Sequence, residues 1–293
     1  MYNVKKLFFA LNRRYPKLLS CLDDKQDLKL LYRIQFGKEL NLDMPITFNE
    51  KIQWLKLYDR NPTYTIMADK YLVKKYVASV IGDEYIIPTF GVWKHYDEID
   101  FDSLPDQFVL KCTHDSGGIV ICKDKSDLDK QAKRKIERSL RRDYYWAARE
   151  WSYKEVKPQV LAEKYVIDKK LQELRDYKFF CFNGKVRCFK VDFDRFENHR
   201  ANYYDEKCNL IDLGEVVCPP DPKKQIEFPK SIYHMMHLAE ILSANIPFIR
   251  VDFYDVDGHI FFGELTFYPN SGLGRFTDDK WDYILGSWIS LPS

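Results

Sequence analysis

Hydrophobic residues recur along the chain at two spacings, the three-to-four-residue spacing of a helix and the two-residue alternation of a strand. Together these patterns predict a mixture of helices and strands. The helical period is clearest in FNEKIQWLKLYDR, where Thr47 and Glu50 form the Thr-x-x-Glu pattern of a capping box. A second helix is predicted from Asp69-Lys70 to Gly82, a residue type common at helix ends. Further helices are predicted at 126–152, which is strongly basic, and at 231–244 and 281–288.

Runs rich in β-branched and aromatic residues predict strands between these helices. Two runs flank Asn183-Gly184, the dipeptide most typical of a two-residue hairpin turn. Two others flank the segment from Thr113 to Gly118, a flexible polar loop that would form a glycine-rich hairpin tip. The predicted strands are 108–112, 119–122, 160–166, 177–182 and 186–191.

The segment 249–272 is predicted to be a β-hairpin that carries acidic residues, and the other candidate residues are organised around it. Side chains in a strand change face at every residue. Arg250 and Asp252 therefore share one face of the first strand, and Glu264 and Thr266 share one face of the second. Whether these two faces coincide depends on the loop that joins the strands.

Two loop lengths are compatible with the sequence VDG at 256–258. A three-residue loop brings the polar side chains together, whereas a two-residue turn at 257–258 places them on opposite faces. If they meet, two carboxylates and a hydroxyl supply the oxygen ligands that Mg²⁺ prefers. The alternative is an ordinary hairpin whose acidic residues face solvent.

The amino-acid composition excludes some classes of protein and indicates the cellular compartment. A formal net charge of +2 over 293 residues argues against a dedicated duplex-DNA binder, so no nucleic-acid partner is expected. The 7 cysteines contain no CxxC pair, so neither a zinc ribbon nor a disulfide framework is expected. The sequence makes no case for a haem, a flavin or zinc. A reducing cytoplasm is the expected compartment.

The N-terminal sequence MYNVKKLFFALNRRYPKLL allows two interpretations. Its apolar patch is too short for a membrane span or a secretory signal. We expect a helix that packs on its own domain. The alternative is an amphipathic helix in peripheral contact with the inner face of the membrane, its basic side formed by Lys5, Lys6, Arg13 and Arg14.

Eight segments in order resemble the ATP-grasp superfamily, and within it the TupA-like ATP-grasp proteins of bacterial surface-polysaccharide and teichuronopeptide biosynthesis. They are PITFNEKIQWLKLYDR, ADKYLVKKYV, FVLKCTHDSGG, LAEKYV, DYKFFCFNGKVR, IPFIRVDFYDVDG, GELTFYPNSG and LGSWISLP. The resemblance implies an α+β ATP-grasp fold, in which two α+β subdomains clamp ATP, preceded by a helical N-terminal segment. The implied divisions are 1–60 for that segment, 61–105 for a small pre-domain, and 106–166 and 167–293 for the two subdomains.

The resemblance also implies a nucleotide site with ATP and Mg²⁺ as cofactors. Lys70 and Lys111 match lysines that bind nucleotide phosphates, and Ser116-Gly117-Gly118 matches the loop that covers them. The segment Glu163, Lys164, Tyr165 and Val166 matches the hinge that holds adenine.

Metal and catalytic positions follow from the same resemblance. Asp252 and Glu264 match the Mg²⁺ ligands, and Arg250 matches an arginine that steadies developing negative charge. Lys178 and Arg195 match basic residues that reach the terminal phosphate or the acceptor. The usual Glu-x-Asn pattern is replaced by Glu264-Leu265-Thr266. Either Thr266 binds the metal through water, or Asn270 supplies the missing oxygen.

The implied activity is an ATP- and Mg²⁺-dependent carboxylate–amine ligase that modifies a surface polysaccharide or its precursor. Its substrate would be a small molecule or glycan such as a uronic acid, an amino sugar or an amino acid. Oligomeric state is left open.

Three alternative functions remain. A glycosyltransferase would use an Asp-x-Asp metal site, and 192–194 and 255–257 both fit that pattern. An ATP-grasp phosphotransferase would act on a sugar hydroxyl, and a scaffold would bind nucleotide without turnover.

The segment 115–118 (DSGG) also resembles the nucleophile region of serine proteases, with His114 as a possible base, but it fits a phosphate loop better.

Overall fold

The computed structural model describes residues 2–168, 174–194 and 198–292. The chain forms two compact units. The first unit contains Met1–Ile34, Arg60–Tyr76 and Ile86–Val166. The second unit contains Gln35–Asp59, Val77–Tyr85 and Ile167–Ser293.

Helices and antiparallel strands occur largely in separate runs along the chain, as expected for an α+β protein. The helices are α1 (Tyr2–Arg14), α2 (Asp24–Phe36), α3 (Phe48–Tyr58), α4 (Thr63–Ala68), α5 (Leu72–Ile81), α6 (Lys130–Leu140), α7 (Ile232–Leu242) and α8 (Lys280–Trp288). The strands are β1 (Thr89–Trp93), β2 (Phe108–Cys112), β3 (Ile119–Cys122), β4 (Val160–Lys164), β5 (Asp176–Phe182), β6 (Lys185–Phe193), β7 (Arg200–Asp205), β8 (Leu210–Ile211), β9 (Phe248–Val256) and β10 (His259–Thr266).

A four-stranded antiparallel sheet with the order β1-β4-β2-β3 forms the centre of the first unit. Phe108 and Leu110 from β2 and Val160 from β4 are buried with Ile136 from α6. Asp129 caps the start of helix α6, and its carboxylate accepts hydrogen bonds from two backbone N–H groups of the first turn. This apolar layer holds β2 and β3, and with them the glycine-rich loop that joins the two strands.

The prediction of one helix over 126–152 is wrong beyond α6. Two short 3-10 helices follow instead, at Tyr144–Ala147 and Trp151–Tyr153. Arg149 has a φ of 52°, which a helix cannot contain. Its buried guanidinium lies 2.8 Å from Asp27. This buried ion pair is specified by a residue more than a hundred positions away, so the local pattern of basic residues could not predict it.

A six-stranded antiparallel sheet with the order β10-β9-β5-β6-β7-β8 forms the second unit. Helix α7 packs against β5, β6 and β9, and α3 packs against α8. The predicted capping box is confirmed, because the Thr47 hydroxyl accepts from the Glu50 N–H and the Glu50 carboxylate accepts from the Thr47 N–H. The predicted two-residue turn is also confirmed, since Asn183 and Gly184 both have positive φ, at 49° and 78°.

The N-terminal helix α1 makes contacts within its own unit. The Asn12 side chain donates a 2.8 Å hydrogen bond to the Ala147 carbonyl, while Leu7 and Leu11 are exposed. Among the described residues, no helix combines the length and the apolar character needed to cross a membrane. Peripheral contact with a membrane remains a prediction from the sequence.

Candidate functional site

One face of the second sheet carries an unusual concentration of charged side chains. Residues directly opposite each other in an antiparallel pair share a face. Lys178 lies opposite both Lys190 and Asp252, and Asp252 lies opposite Glu264. The polar face therefore comprises Asp176, Lys178, Lys190, Asp192, Arg250, Asp252, Glu264 and Thr266.

The acidic hairpin has the shorter of the two loops compatible with its sequence. Val256 pairs with His259, and Asp257 and Gly258 form a two-residue turn with positive φ at both positions. Such a turn was expected to separate the polar faces, and that expectation is wrong. A β-bulge between Phe262 and Glu264 inserts one extra residue, Gly263. Because one residue shifts a strand by one face, the bulge returns Glu264 to the face of Asp252.

Arg250 connects the two carboxylates of this hairpin. Its Nε lies 2.7 Å from Asp252 Oδ1, and its Nη2 lies 2.8 Å from Asp252 Oδ2 and 3.0 Å from Glu264 Oε1. The Thr266 hydroxyl donates a 2.6 Å hydrogen bond to the same Glu264 oxygen. Burial would lower the pKa of Arg250, but the facing carboxylates raise it, so the guanidinium stays charged. The hairpin thus holds two carboxylates at a fixed separation.

Lys178 is surrounded by carboxylates. Its Nζ lies 2.6 Å from Asp176, 3.0 Å from Asp192 and 3.4 Å from Asp252. Burial opposes the charged form, yet these three acidic groups raise the pKa of Lys178 above its ordinary value. Lys178 is therefore a permanently charged residue next to the hairpin.

A second buried ion pair on this sheet was missed at the sequence level. Lys190 Nζ lies 2.8 Å from Glu215, and the other oxygen of Glu215 accepts a 3.1 Å hydrogen bond from the Asn270 side chain. Burial would raise the pKa of Glu215, but Lys190 lowers it. The signal for this ion pair in the sequence was that Lys190 and Asp192, two residues apart in a strand, place charged side chains on the same face. Glu215 and Asn270 line a small pocket together with Phe48, Asn49, Phe180, Pro269, Gly274 and Phe276.

The loop that carries Asn270 has an unusual backbone. Asn270, Ser271 and Gly272 all have positive φ, at 49°, 57° and 60°. Helix α3 holds this loop, since Gln53 Nε2 donates to the Gly272 carbonyl at 2.6 Å and Lys56 Nζ donates to the Ser271 carbonyl at 2.6 Å. Consecutive left-handed residues persist only where the surroundings fix them. Gln53 and Lys56 therefore help to fix the backbone of the loop that carries Asn270.

We expect Lys56→Met to destabilise the second unit by about 2–3 kcal/mol, because a buried carbonyl loses a charged donor. Lys56 is 1% exposed, so water cannot replace it. Urea unfolding monitored by circular dichroism measures the change, and Lys25→Met on the exposed surface of α2 is the control. An unchanged unfolding midpoint in Lys56→Met would show that the loop does not depend on this lysine.

The glycine-rich loop in the first unit is buried at its start and exposed at its tip. Thr113, His114 and Asp115 are buried, whereas Ser116 and Gly117 are exposed. The prediction of a flexible polar loop is therefore wrong for its first half. His114 Nε2 lies 3.1 Å from the Ser139 carbonyl and 3.0 Å from the Arg142 carbonyl. Burial lowers the pKa of His114 and favours a neutral imidazole fixed on the helix end.

Asp115 and Gly118 fix the other side of this loop. Ser139 donates to the Asp115 carboxylate, which also accepts from the Gly118 N–H at 3.3 Å. A Cβ at Gly118 would overlap the Ser139 hydroxyl, so only glycine fits there without a shift. Gly117 has a φ of 122° and open space around it. The exposed tip therefore presents a backbone that a phosphate group can approach.

Two half-buried lysines and one buried glutamate form a cluster beside that loop. Lys111 forms an ion pair with one oxygen of Glu163, and Lys74 Nζ lies 2.7 Å from the other. Burial would raise the pKa of Glu163, but the two lysines lower it. Burial lowers the pKa of Lys74. Each oxygen of the Glu163 carboxylate is thus paired with one lysine. Lys74 was not predicted from the sequence.

Lys70 lies at the base of the same loop. Its Nζ donates to the Asp115 carbonyl, and its backbone N–H donates to the Thr113 carbonyl at 3.0 Å. The predicted start of α5 near Asp69 is displaced to Leu72, with the Asp69 carboxylate accepting from the N–H groups of Tyr71 and Leu72. The structure therefore brings Lys70 together with the loop expected to cover phosphates.

The predicted adenine hinge follows β4. Strand β4 ends at Lys164, which is exposed and whose N–H donates to the Pro88 carbonyl at 2.9 Å. Tyr165 and Val166 are half-buried. Arg195, the remaining predicted residue, lies outside the described residues.

The two Asp-x-Asp triplets do not form paired carboxylate sites. Asp192 is buried and contacts Lys178, whereas Asp194 has a φ of 52° and lies 3.3 Å from Lys224. In the other triplet, Asp255 accepts from the Gly258 N–H at 3.0 Å, and Asp257 occupies the hairpin turn. In both triplets the two aspartates have different surroundings.

The chain has the ATP-grasp fold, with a glycine-rich hairpin in one antiparallel α+β unit and a charged hairpin in a second one. The family model described as TupA-like ATPgrasp matches residues 50–290. The chain therefore belongs to the TupA-like ATP-grasp family, which lies in a superfamily of ATP-dependent ligases. A search of curated protein sequences found no match.

Solved structures with a similar fold include several ATP-grasp ligases. The D-alanine–D-alanine ligase from Bacillus anthracis complexed with ATP is 17% identical with a TM-score of 0.41, covering 69% of this chain and 53% of that chain. The Helicobacter pylori D-alanine–D-alanine ligase is 14% identical with a TM-score of 0.45, covering 83% and 69%. The ATP-grasp ligase PsnB, complexed with minimal precursor, Mg and ADP, is 9% identical with a TM-score of 0.39, covering 75% and 57%. The chain thus spans about half the length of the first of these ligases.

The family is ATP- and Mg²⁺-dependent, and the donors of the second unit fit Mg²⁺. Asp252, Glu264 and Thr266 offer only oxygen atoms, the donor type that Mg²⁺ requires. The polar face with Glu215 carries five carboxylates against the three cations Lys178, Lys190 and Arg250. A divalent cation would balance this negative charge. The cation and Arg250 would then share the Asp252 carboxylate, since Arg250 already contacts both oxygens of Asp252.

Proposed function

We propose that this protein is an ATP- and Mg²⁺-dependent carboxylate–amine ligase. One observation carries the proposal: Arg250 joins Asp252 and Glu264 on paired strands, next to the charged Lys178. Such a cluster of carboxylates and fixed cations suits a reaction in which a phosphoryl group moves and negative charge develops. No side-chain nucleophile is needed.

The proposed reaction has two steps. An oxygen of the substrate carboxylate attacks the γ-phosphorus of ATP, the bond to the β-phosphate oxygen breaks, and ADP leaves. An amine then attacks the acyl carbon of the acylphosphate, loses a proton, and displaces inorganic phosphate to leave an amide. ATP thus converts a carboxylate oxygen into a leaving group, and the protein positions the reactants and neutralises charge.

The described residues divide these tasks. In the first unit, Lys70 and Lys111 would bind nucleotide phosphates, with the backbone of Ser116-Gly117-Gly118 over them, and the segment 163–166 would hold adenine. In the second unit, Asp252 and Glu264 would hold Mg²⁺, which neutralises phosphate charge when bound. Thr266 donates to Glu264 and would orient it. Arg250 and Lys178 would stabilise charge on the transferring phosphoryl group. Arg195 is proposed for the same role.

The family resemblance supports a substrate from surface-polysaccharide biosynthesis, and either the acid or the amine would belong to an amino acid, a uronic acid or an amino sugar. A requirement for ATP favours the cytoplasm as the compartment, with peripheral membrane contact if the acceptor is lipid-linked. The proposal excludes nucleic acid as a partner.

Nucleotide turnover against substrate panels tests this function. Uronic acids and amino acids are combined in pairs with ATP and Mg²⁺, ADP and phosphate release is followed, and adducts are identified by mass spectrometry. We expect phosphate release only when both an acid and an amine are present. Phosphate transfer to a sugar hydroxyl, or consumption of a UDP-sugar without ATP, would contradict the ligase proposal.

We expect Lys111→Met to weaken ATP binding by about 10- to 100-fold, because a charged donor to phosphate is worth about 1.5–3 kcal/mol. The retained Lys74 keeps Glu163 paired, so the fold should survive. Isothermal titration with a non-hydrolysable ATP analogue measures the effect, and Lys94→Met, exposed in the same unit, is the control. Equal affinities for the two variants would remove Lys111 from the nucleotide site.

A further inference from the structure

Three metal-ligating side chains from separate segments meet at the end of β6. Asp192 lies in β6, His199 lies just before β7, and Cys218 lies in the loop after β8. His199 Nε2 is 3.2 Å from Asp192 Oδ1, and Cys218 Sγ is 4.0 Å from the same oxygen. All three ligand atoms lie within 4.8 Å of one another. The proposed ligase reaction gives His199 and Cys218 no role.

The surroundings of this cluster are asymmetric. The side chains of Asp192 and Cys218 are buried, while the His199 side chain is 43% exposed. Asp192 uses its two oxygens differently, because Oδ2 lies 3.0 Å from Lys178 and Oδ1 faces His199 and Cys218. The cluster therefore has two fixed ligands in the interior and a third that reaches them from the solvent side.

We propose that Asp192, His199 and Cys218 form a Zn²⁺ site. Bond lengths of about 2.0–2.2 Å to nitrogen and oxygen and about 2.3 Å to sulfur place tetrahedral zinc ligands roughly 3.4–3.6 Å apart. The observed separations of 3.2 and 4.0 Å differ from this by only a few tenths of an ångström. The third separation, between His199 Nε2 and Cys218 Sγ, is no more than 4.8 Å. Rotation of the exposed His199 side chain is the movement needed to bring this nitrogen closer to the sulfur.

The donor set selects zinc over magnesium. A thiolate and an imidazole are softer ligands than the oxygen donors that Mg²⁺ requires, and they suit zinc. Binding removes the thiol proton of Cys218, which passes to solvent, and uses His199 in its neutral form. Three protein ligands leave the fourth tetrahedral position open beside the exposed face of His199, as in zinc sites that bind water or a substrate group.

Cobalt titration of the full chain tests this site, because Co²⁺ replaces Zn²⁺ and reports its ligands by absorption. Excess Mg²⁺ is present to occupy the oxygen site. We expect one equivalent of Co²⁺ to give a thiolate-to-cobalt charge-transfer band with tetrahedral d–d bands, and one equivalent of Zn²⁺ to remove them. Cys218→Ser should abolish the thiolate band, and His199→Ala should weaken binding by at least about 100-fold, the upper range for loss of a supporting group.

Matched variants separate this site from other thiols and imidazoles. Cys208→Ser and His237→Ala change residues of the same types in the second unit and should retain the full titration. If circular dichroism shows that Cys218→Ser does not fold, His199→Ala decides the result, because the His199 side chain lies at the surface and its removal should leave the fold intact. Absence of a thiolate band in the unaltered chain, or a band that survives His199→Ala with unchanged affinity, would overturn the proposal.

Discussion

Glu264→Gln is expected to reduce turnover by about 100- to 1,000-fold while leaving the protein folded. Removal of one group that stabilises charge at a reacting centre typically has an effect of this size. The side chain of Glu264 is 45% exposed, so its loss should change stability little. An amide in its place keeps the hydrogen bond from Thr266 but loses the negative charge that Mg²⁺ requires. Steady-state ATP turnover at saturating substrates measures the loss.

The same hairpin provides the control. Asp257→Asn changes an acid to an amide in the turn, and asparagine tolerates its φ of 53°. This variant should retain full turnover. Asp252→Asn should also be inactive, but Asp252 is buried against Arg250 and Lys178, so part of its effect would be destabilisation. Full activity in Glu264→Gln would remove Glu264 from the metal site.

Glu163→Gln is expected to destabilise the first unit by about 3 kcal/mol, the lower end of the range for a broken buried ion pair, because it leaves two half-buried cations without their anionic partner. Lys74 and Lys111 both contact this carboxylate, and their side chains are only 13% and 20% exposed. We also expect ATP affinity to fall, since Lys111 loses the group that positions it. Urea unfolding and analogue titration measure the two effects. Glu155→Gln, an exposed change in the same unit, is the control.

The stability effect of Glu163 should depend on pH. Its pKa in the folded protein lies below the ordinary value of 4.5, so the unfolded chain takes up the proton first as pH falls. The stabilisation is therefore complete above about pH 4.5 and is lost as pH falls through the folded pKa. The difference between the unaltered chain and Glu163→Gln should narrow below that pH. If the difference in unfolding free energy between the two proteins stays constant through this pH range, titration of Glu163 is not the source of the pH dependence.

Local patterns predicted the elements whose determinants are short-range. The capping box of Thr47 and Glu50 and the turn at Asn183-Gly184 depend on residues within a few positions, and both are confirmed. The resemblance predicted the ATP-grasp fold, which family membership confirms. The roles of the individual site residues remain predictions.

Features that depend on distant contacts could not be predicted in this way. The bulge at Gly263 decides whether Glu264 and Asp252 share a face. A glycine inside a strand is typical of a bulge, but it does not by itself fix the register of the two strands. The break after α6 follows from the buried pairing of Arg149 with Asp27. Lys74 joins Glu163 across 89 positions, and such a pairing becomes visible only once the strands are placed.

If ATP activates a substrate carboxylate, an oxygen atom of that carboxylate passes to the released phosphate, and ¹⁸O labelling follows this transfer. An acid that supports turnover is labelled with ¹⁸O in its carboxylate and incubated with ATP, Mg²⁺ and the matching amine. Carboxylate activation predicts one ¹⁸O atom in the released inorganic phosphate and the other in the amide. Unlabelled phosphate, or a phosphate retained on the product, would contradict it.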